Sequence, residues 1–301
     1  MNRKGVWYAL AAYGLWGVLP IYWKSLGQVD AFEILMHRMV WSLFFLVAVL
    51  AIRKRFDWIR SVLKDKKTLL LYTAASLLLG SNWGLFIWAV NADFIVETSL
   101  GYYITPLFNV FLGMVVFKER LRAGQWVAIG VAALGVLYLT INYGHLPWIA
   151  LGLALSFSLY GVLKKKAPLG AFEGLTIETA VLFLPAIGYL LYVQGSGTGA
   201  IGQVDTMTHW LLALTGVATA IPLLFFSAAA QRIPLTWIGF IQYLSPSISM
   251  VIALFLYHEP FGVVRQIGFI IIGIALLLFT LENVVYMRRS KLAAKQHEQQ
   301  G

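Results

Sequence analysis

The sequence predicts an all-α membrane protein: ten transmembrane helices arranged as two inverted five-helix repeats, with both termini cytoplasmic. Three observations lead there: a succession of long apolar runs, a sequence pattern that returns after 140 residues, and basic residues confined to alternate loops. Of 301 residues, 60% are hydrophobic and 12% charged, and the mean hydropathy is +0.78. A soluble core of this length could not bury so much apolar surface. The absence of cysteine removes disulfides and thiolate metal sites.

After Arg3 and Lys4, residues 5–23 are almost wholly apolar. The run is too long for a signal-peptide core and lacks a small-x-small cleavage site, so it reads as a retained first helix. Further runs, each near the roughly 20 residues that cross a bilayer, occupy 32–52, 68–91, 95–117, 122–141 and 146–163. The remainder cover 172–193, 209–230, 234–257 and 262–284. Short loops exclude a soluble catalytic domain. The longest are a basic one at 53–67 and a flexible one at 194–208, and the polar tail from Arg288 is expected to fray. These runs divide the chain into a first repeat at 1–141, a second at 142–285 and a basic cytoplasmic tail at 286–301.

Charge fixes the orientation. With the N-terminus in the cytoplasm, 20 of the 23 Lys and Arg residues fall on inside segments; Lys24 and Arg265 fall outside and Arg38 lies within a helix. That is the bias of the positive-inside rule. It accounts for the net charge of +10 through loops facing anionic lipid rather than through nucleic acid, which is not expected as a partner.

The repeat is clearest in Gly101–Leu121, which returns as Ile241–Phe261, so that Pro106 and Glu119 are spaced as Pro246 and Glu259 are. Leu15-Trp16-Gly17 returns as Leu159-Tyr160-Gly161, and Ala31-Phe32-Glu33 as Ala171-Phe172-Glu173. Gly130 and Gly135 match the spacing of Gly268 and Gly273. Five helices per half is an odd number, so the second half is inverted relative to the first. This is a transporter's architecture, with a site between the halves.

Pro106 and Pro246 are placed near the midpoints of the fourth and ninth predicted helices. Each frees the carbonyl four residues earlier, of Tyr102 and Gln242, and in hydrocarbon that carbonyl needs a partner. One reading is a pair of hinges facing a cavity, with Tyr102, Tyr103, Gln242 and Tyr243 near a solute; the other is a pair of packing kinks. In the second predicted helix, Glu33 and His37 share a face, and Arg38 lies inside the apolar run. Ionisable groups there usually face a cavity or one another. His37 could exchange protons or make an interhelical hydrogen bond; Arg38 could pair with a solute carboxylate or snorkel to the interface. Asn82 and Trp83, in mid-helix, could reach a solute or serve helix packing. Trp16 and Tyr160, equivalent under the repeat, could wall an amphiphilic solute. Trp7, Trp58 and Trp148 read as interfacial anchors.

Several chemistries are missing. There is no G-x-x-x-x-G-K-[ST] loop for ATP, no clustered histidines for a metal, and no serine or carboxylate pair at catalytic spacing, so neither an enzyme nor a cofactor is expected. Acids such as Asp93, Glu97, Glu119 and Glu259 lie near helix ends, and no midplane carboxylate is evident.

The segments LWGVLPIYWK, EILMHRMVWS and SNWGLFIWAVN, with the repeated proline and the turns KERL and HEPF, resemble the EamA domain pair of the drug/metabolite transporter superfamily and, within it, the bacterial RarD group. The resemblance spans nearly the whole chain. It implies an inner-membrane permease with a central cavity and a small-molecule solute, and it carries the group's association with chloramphenicol and the expectation of export. Lys118 and Leu121 are replaced by His258 and Phe261 in the second half, so the turn need not act alike in both. A non-transporting scaffold or sensor is the alternative; it would use the small-residue faces of the fifth and tenth helices as homodimer contacts.

Overall fold

Aspartates at non-helical positions start several of the helices. Asp30 accepts hydrogen bonds from the amides of Phe32 and Glu33, Asp65 from that of Lys67 and Asp205 from that of Thr208, satisfying donors that a helix start leaves open. The computed structural model describes residues 2–54, 56–92, 94–258 and 262–300, with the course of the helix alone over 287–300. Asp93 and the turn Glu259-Pro260-Phe261, both invoked above, lie outside the described residues.

Among the described residues there are twelve helices and no strand. They are α1 (Arg3–Lys24), α2 (Ala31–Ile52), α3 (Trp58–Lys64), α4 (Lys66–Asn91), α5 (Ile95–Phe117), α6 (Ala123–Tyr143), α7 (Trp148–Lys166), α8 (Ala171–Gly195), α9 (Thr206–Ala230), α10 (Leu235–Gln242), α11 (Leu244–Phe255) and α12 (Val263–Gln300). Among the described residues nine spans are long and apolar enough to cross a membrane, with Leu235–Phe255 counted as one. The first helix, α1, has 22 residues but carries Trp, Tyr, Gly and Pro throughout and is not among the nine.

Four details depart from the sequence reading. The basic loop at 53–67 contains the short helix α3. The loop at 194–208 is tied down: Ala200 is buried, and its amide donates to Glu33 Oε1 at 2.8 Å. The tail does not fray at Arg288, because α12 runs on to Gln300 through Lys, Leu, Ala and Gln residues of high helix propensity. Pro246 does not sit in the middle of a continuous helix. The chain breaks at Tyr243, whose amide bonds the Phe240 carbonyl, and Pro246 becomes the third residue of α11, where a missing N–H costs no intrahelical bond. Pro106, by contrast, lies inside unbroken α5.

The packing follows a pairwise pattern. The helix α5 packs on α7 as α11 does on α1; α2 packs on α9 as α4 does on α8; α1 packs on α9 as α7 does on α4. The pairs α2 with α8, α5 with α10 and α6 with α12 complete the set. The main core gathers Tyr13, Tyr160, Leu223, Phe226 and Ile238 from α1, α7, α9 and α10. Close backbone approach holds α2 to α9: a Cβ on Gly216 would collide with the Trp41 carbonyl group. Such small-residue crossings are how helices associate where lipid removes the hydrophobic drive. The glycine faces of the fifth and tenth predicted helices are partly used within the chain, Gly135 against Ile271 and Ile272 and Gly268 against Leu139.

Candidate functional site

Arg38 lies near the end of the bundle where α1 stops and α2 begins. Its guanidinium stacks between two indoles, 4.6 Å from the ring centroid of Trp23 on α1 and 4.5 Å from that of Trp83 on α4. Nε donates to Thr219 Oγ1 on α9 at 3.0 Å. Tyr102 on α5 is 47% exposed and packs edge-on against Phe86 of α4, one turn from Trp83. Four helices, α2 included, thus converge on one cation that is half-buried. Among the described residues no carboxylate lies within 4.0 Å of it. A planar guanidinium fixed at Nε by one hydroxyl, with its faces covered by aromatic rings, keeps its terminal N–H groups for a bidentate anion.

The other predicted residues divide. Trp83 joins Arg38, and Tyr102 lies against Phe86 on the same helix as Trp83. His37 is one residue away but turns into the core, 5% exposed, with Nε2 3.8 Å from Glu33 Oε1 and neither ring nitrogen hydrogen-bonded. Asn82 spends both of its amide hydrogens on α7, donating to the Leu153 carbonyl at 2.8 Å and to Ser156 Oγ at 2.9 Å. Trp16 is half-buried against Tyr13, Phe157 and Phe226. Gln242 Oε1 accepts from Asn109 Nδ2 at 2.7 Å and from Tyr13 Oη at 3.3 Å. The Tyr243 hydroxyl donates to the Tyr103 carbonyl at 3.2 Å, beside Pro106. The Tyr103 ring turns to Phe269, which lines a groove between α11 and α12 together with Ser247 and Met250.

Tyr160 is wholly buried, and its hydroxyl donates to Glu178 Oε2 at 2.9 Å. Glu178 in turn holds Lys164 Nζ at 2.6 Å, with both side chains 1% exposed or less. Lys164 is one of the 20 basic residues that the charge distribution puts on inside segments, with Lys165 and Lys166 beside it, and Glu178 is not among the acids singled out from the sequence. The available signal was a carboxylate seven residues into an apolar helix, opposite a lysine that ends the preceding one. Two further acids serve as helix caps: Glu119 accepts from the amides of Leu235 and Thr236 at the start of α10, and Glu97 from that of Ile149 in α7. No group of three or more potential metal ligands occurs among the described residues.

An all-helical, multi-span bundle holding an intramembrane cation that meets no carboxylate among the described residues has the organisation of a membrane permease. Residues 3–141 match the EamA-like transporter family. The chain belongs to the EamA/drug-metabolite transporter superfamily, as a RarD-like permease. It is 44% identical over 290 residues to Protein RarD of Streptomyces exfoliatus, covering 96% of this chain and 92% of that protein. It is 40% identical over 289 residues to Protein RarD of Escherichia coli strain K12, covering 96% and 98%. With the Chloramphenicol-sensitive protein RarD of Pseudomonas aeruginosa it shares 30% over 297 residues, covering 96% and 97%. A crystal structure of a protein 17% identical superposes with a TM-score of 0.70 over 93% of this chain and 98% of that one, a likeness of fold alone. The protein is a multi-pass protein of the bacterial inner membrane.

Proposed function

We propose that the protein is a secondary transporter that exports small amphiphilic metabolites or drugs by alternating access, and that Arg38 receives an anionic group of the solute. The observation that carries this reading is the half-buried Arg38 guanidinium, stacked between Trp23 and Trp83 and facing no carboxylate among the described residues. Trp83 and Tyr102 supply aromatic surface for the apolar part of the solute. The pairwise packing pattern supports two inverted five-helix repeats, residues 1–141 and 142–285, with residues 286–301 as the tail: exchange of the two sets of helices returns the same contacts. The distribution of basic residues supports cytoplasmic termini. Pro106 and the break before Pro246 serve as hinges, and Trp16, Tyr160, Gln242 and Tyr243 form the packed wall on which they turn. Export and the chloramphenicol link come from the family and from the name of the Pseudomonas aeruginosa relative.

The test is uptake into liposomes by the purified protein, screening pooled organic anions, amphiphilic metabolites and chloramphenicol, with and without a proton gradient. Movement of a solute that Arg38→Gln abolishes in a folded protein supports the reading. Failure of every solute to move or bind overturns it in favour of a scaffold or sensor.

A further inference from the structure

A second ionic site lies two turns inside the end of the bundle where α7 stops and α8 begins. Lys164 and Glu178 are in contact at 2.6 Å and sealed from solvent, with Tyr160 donating to the second carboxylate oxygen. The helix α7 packs on α5, α4 and α9 and α8 on α2, α4 and α9 rather than broadly on each other, and the contacts of Glu178 with Lys164 and Tyr160 join them. Tyr72 of α4 lies across it, its ring centroid 5.6 Å from the Lys164 ammonium and its hydroxyl accepting from the Leu169 amide.

Position gives the pair its meaning. Glu178 is the eighth residue of α8 and Arg38 the eighth of α2, 140 residues apart. The two halves place opposite charges at matched sites, the cation half-open and the anion shut.

In the alternating-access reading, opening this end would separate Lys164 from Glu178. Lys164 lies in the last turn of α7 with Lys165 and Lys166, and its long stem can carry the ammonium to the aqueous interface. Glu178 has a short stem and is rooted two turns inside an apolar helix, so a bare carboxylate there would be stranded in low dielectric. A proton removes that obstacle.

Building on the alternating-access reading above, we propose that Glu178 is the proton-binding site of the transporter and that its contact with Lys164 is the gate which the proton releases. As the ammonium leaves Glu178 Oε1, a proton from the adjoining aqueous phase forms an O–H bond there, while Oε2 keeps the hydrogen bond from Tyr160. Around the carboxylate stand Lys164 and Tyr160 from α7, Tyr72 from α4 and Glu173 on α8 itself. Arg53, at the end of α2, sits over the Phe172 ring, and Gln231, just past α9, bonds the Leu169 carbonyl.

The chain has no cysteine, so a single introduced one reports access without any solute. Leu175, 0% exposed and one turn before Glu178, is the reporter position, and Leu63, 66% exposed, is the control. Reconstituted Leu175→Cys is labelled with a membrane-impermeant maleimide, added from each face in turn, and rates are normalised to Leu63→Cys at each pH. Expected are slow labelling at alkaline pH, a rise of at least about tenfold on acidification, and pH-independent fast labelling in Glu178→Gln. Should Glu178→Gln not fold, Glu178→Asp is expected to shift the pH midpoint instead. Labelling that ignores both pH and the Glu178 variants overturns the proposal. The face from which access opens reports the orientation of the chain. Gated labelling without solute uptake in parallel vesicles would defeat the transport reading while leaving the proton gate standing.

Discussion

The Tyr243 hydroxyl donates to the backbone carbonyl of Tyr103, 3.2 Å away and 140 residues earlier, the offset of the internal repeat. A contact between positions 140 residues apart is what the two-fold relation proposed above would place at its axis. There α10 crosses α5 so closely that a Cβ on Gly239 would lie 2.6 Å from the Pro106 carbonyl oxygen. Because the obstacle is backbone, Gly239→Ala must push the two helices apart, at a cost of about 1–3 kcal/mol. We expect a Tm in detergent lower by about 5 °C. Tyr243→Phe, which removes this hydrogen bond, should cost about 1 kcal/mol. Unchanged melting of Gly239→Ala would contradict the close crossing.

Arg38→Lys and Arg38→Gln should separate charge from geometry. Lysine keeps the charge but loses the planar stacking on Trp23 and Trp83 and the bidentate fork. We expect affinity for an anionic solute to fall about tenfold in Arg38→Lys, from one or two kcal/mol of lost stacking and hydrogen bonding. Arg38→Gln should fall further, with Tm preserved in both. A snorkelling Arg38 would instead leave binding unchanged in Arg38→Lys, which a direct binding isotherm reveals.

Much of this fold was legible because membrane helices declare themselves by length and composition. What escaped was a matter of pairing. Lys164 read as an inside-segment charge because two lysines follow it, and only the folded arrangement of α7 and α8 brings Glu178 to it. Asn82 could be read as a solute contact or as helix packing, because an amide within an apolar run needs partners; a single sequence cannot show that the Leu153 carbonyl and Ser156 supply them. Arg38 was recognisable as an intramembrane cation, but its two indoles come from α1 and α4, at distances in sequence that no local pattern encodes. Pro246 was mistaken for a mid-helix residue because the break at Tyr243 leaves no gap in the hydrophobic run.

Glu119 shows how the KERL turn works. Its two oxygens accept from the amides of Leu235 at 2.8 Å and Thr236 at 2.9 Å, and Lys165 Nζ stands 3.6 Å away. The residue caps a helix in the other half of the chain, where a negative charge meets the positive end of the α10 dipole. Glu119→Ala should cost about 1–2 kcal/mol and raise hydrogen exchange at the first amides of α10. Glu119→Gln should lose less, since one amide oxygen still accepts. Protection in α10 indifferent to Glu119 would rule out this cap.

The start of α4 carries a pH dependence outside the membrane span. Asp65 accepts from Thr68 Oγ1 at 2.6 Å and from the Lys67 amide at 3.0 Å. These bonds, the Thr68 hydroxyl's foremost, hold its carboxyl below the ordinary 3.8. A folded-state pKa below the unfolded one means that the charged form favours the capped helix. The contribution is complete above the unfolded value and drains away as pH falls through the lower folded value. Asp205 is depressed in the same direction, chiefly by the Thr208 hydroxyl, at the start of α9. Near neutrality, Asp65→Ala should therefore speed hydrogen exchange in the first turn of α4 relative to the parent protein, and the difference should vanish only below the ordinary aspartate range. Thr68→Val removes the largest cause while leaving the carboxylate in place, so it should move the onset of that loss to higher pH. Identical acid profiles for the parent and Thr68→Val would show that the hydroxyl does not hold the proton off Asp65.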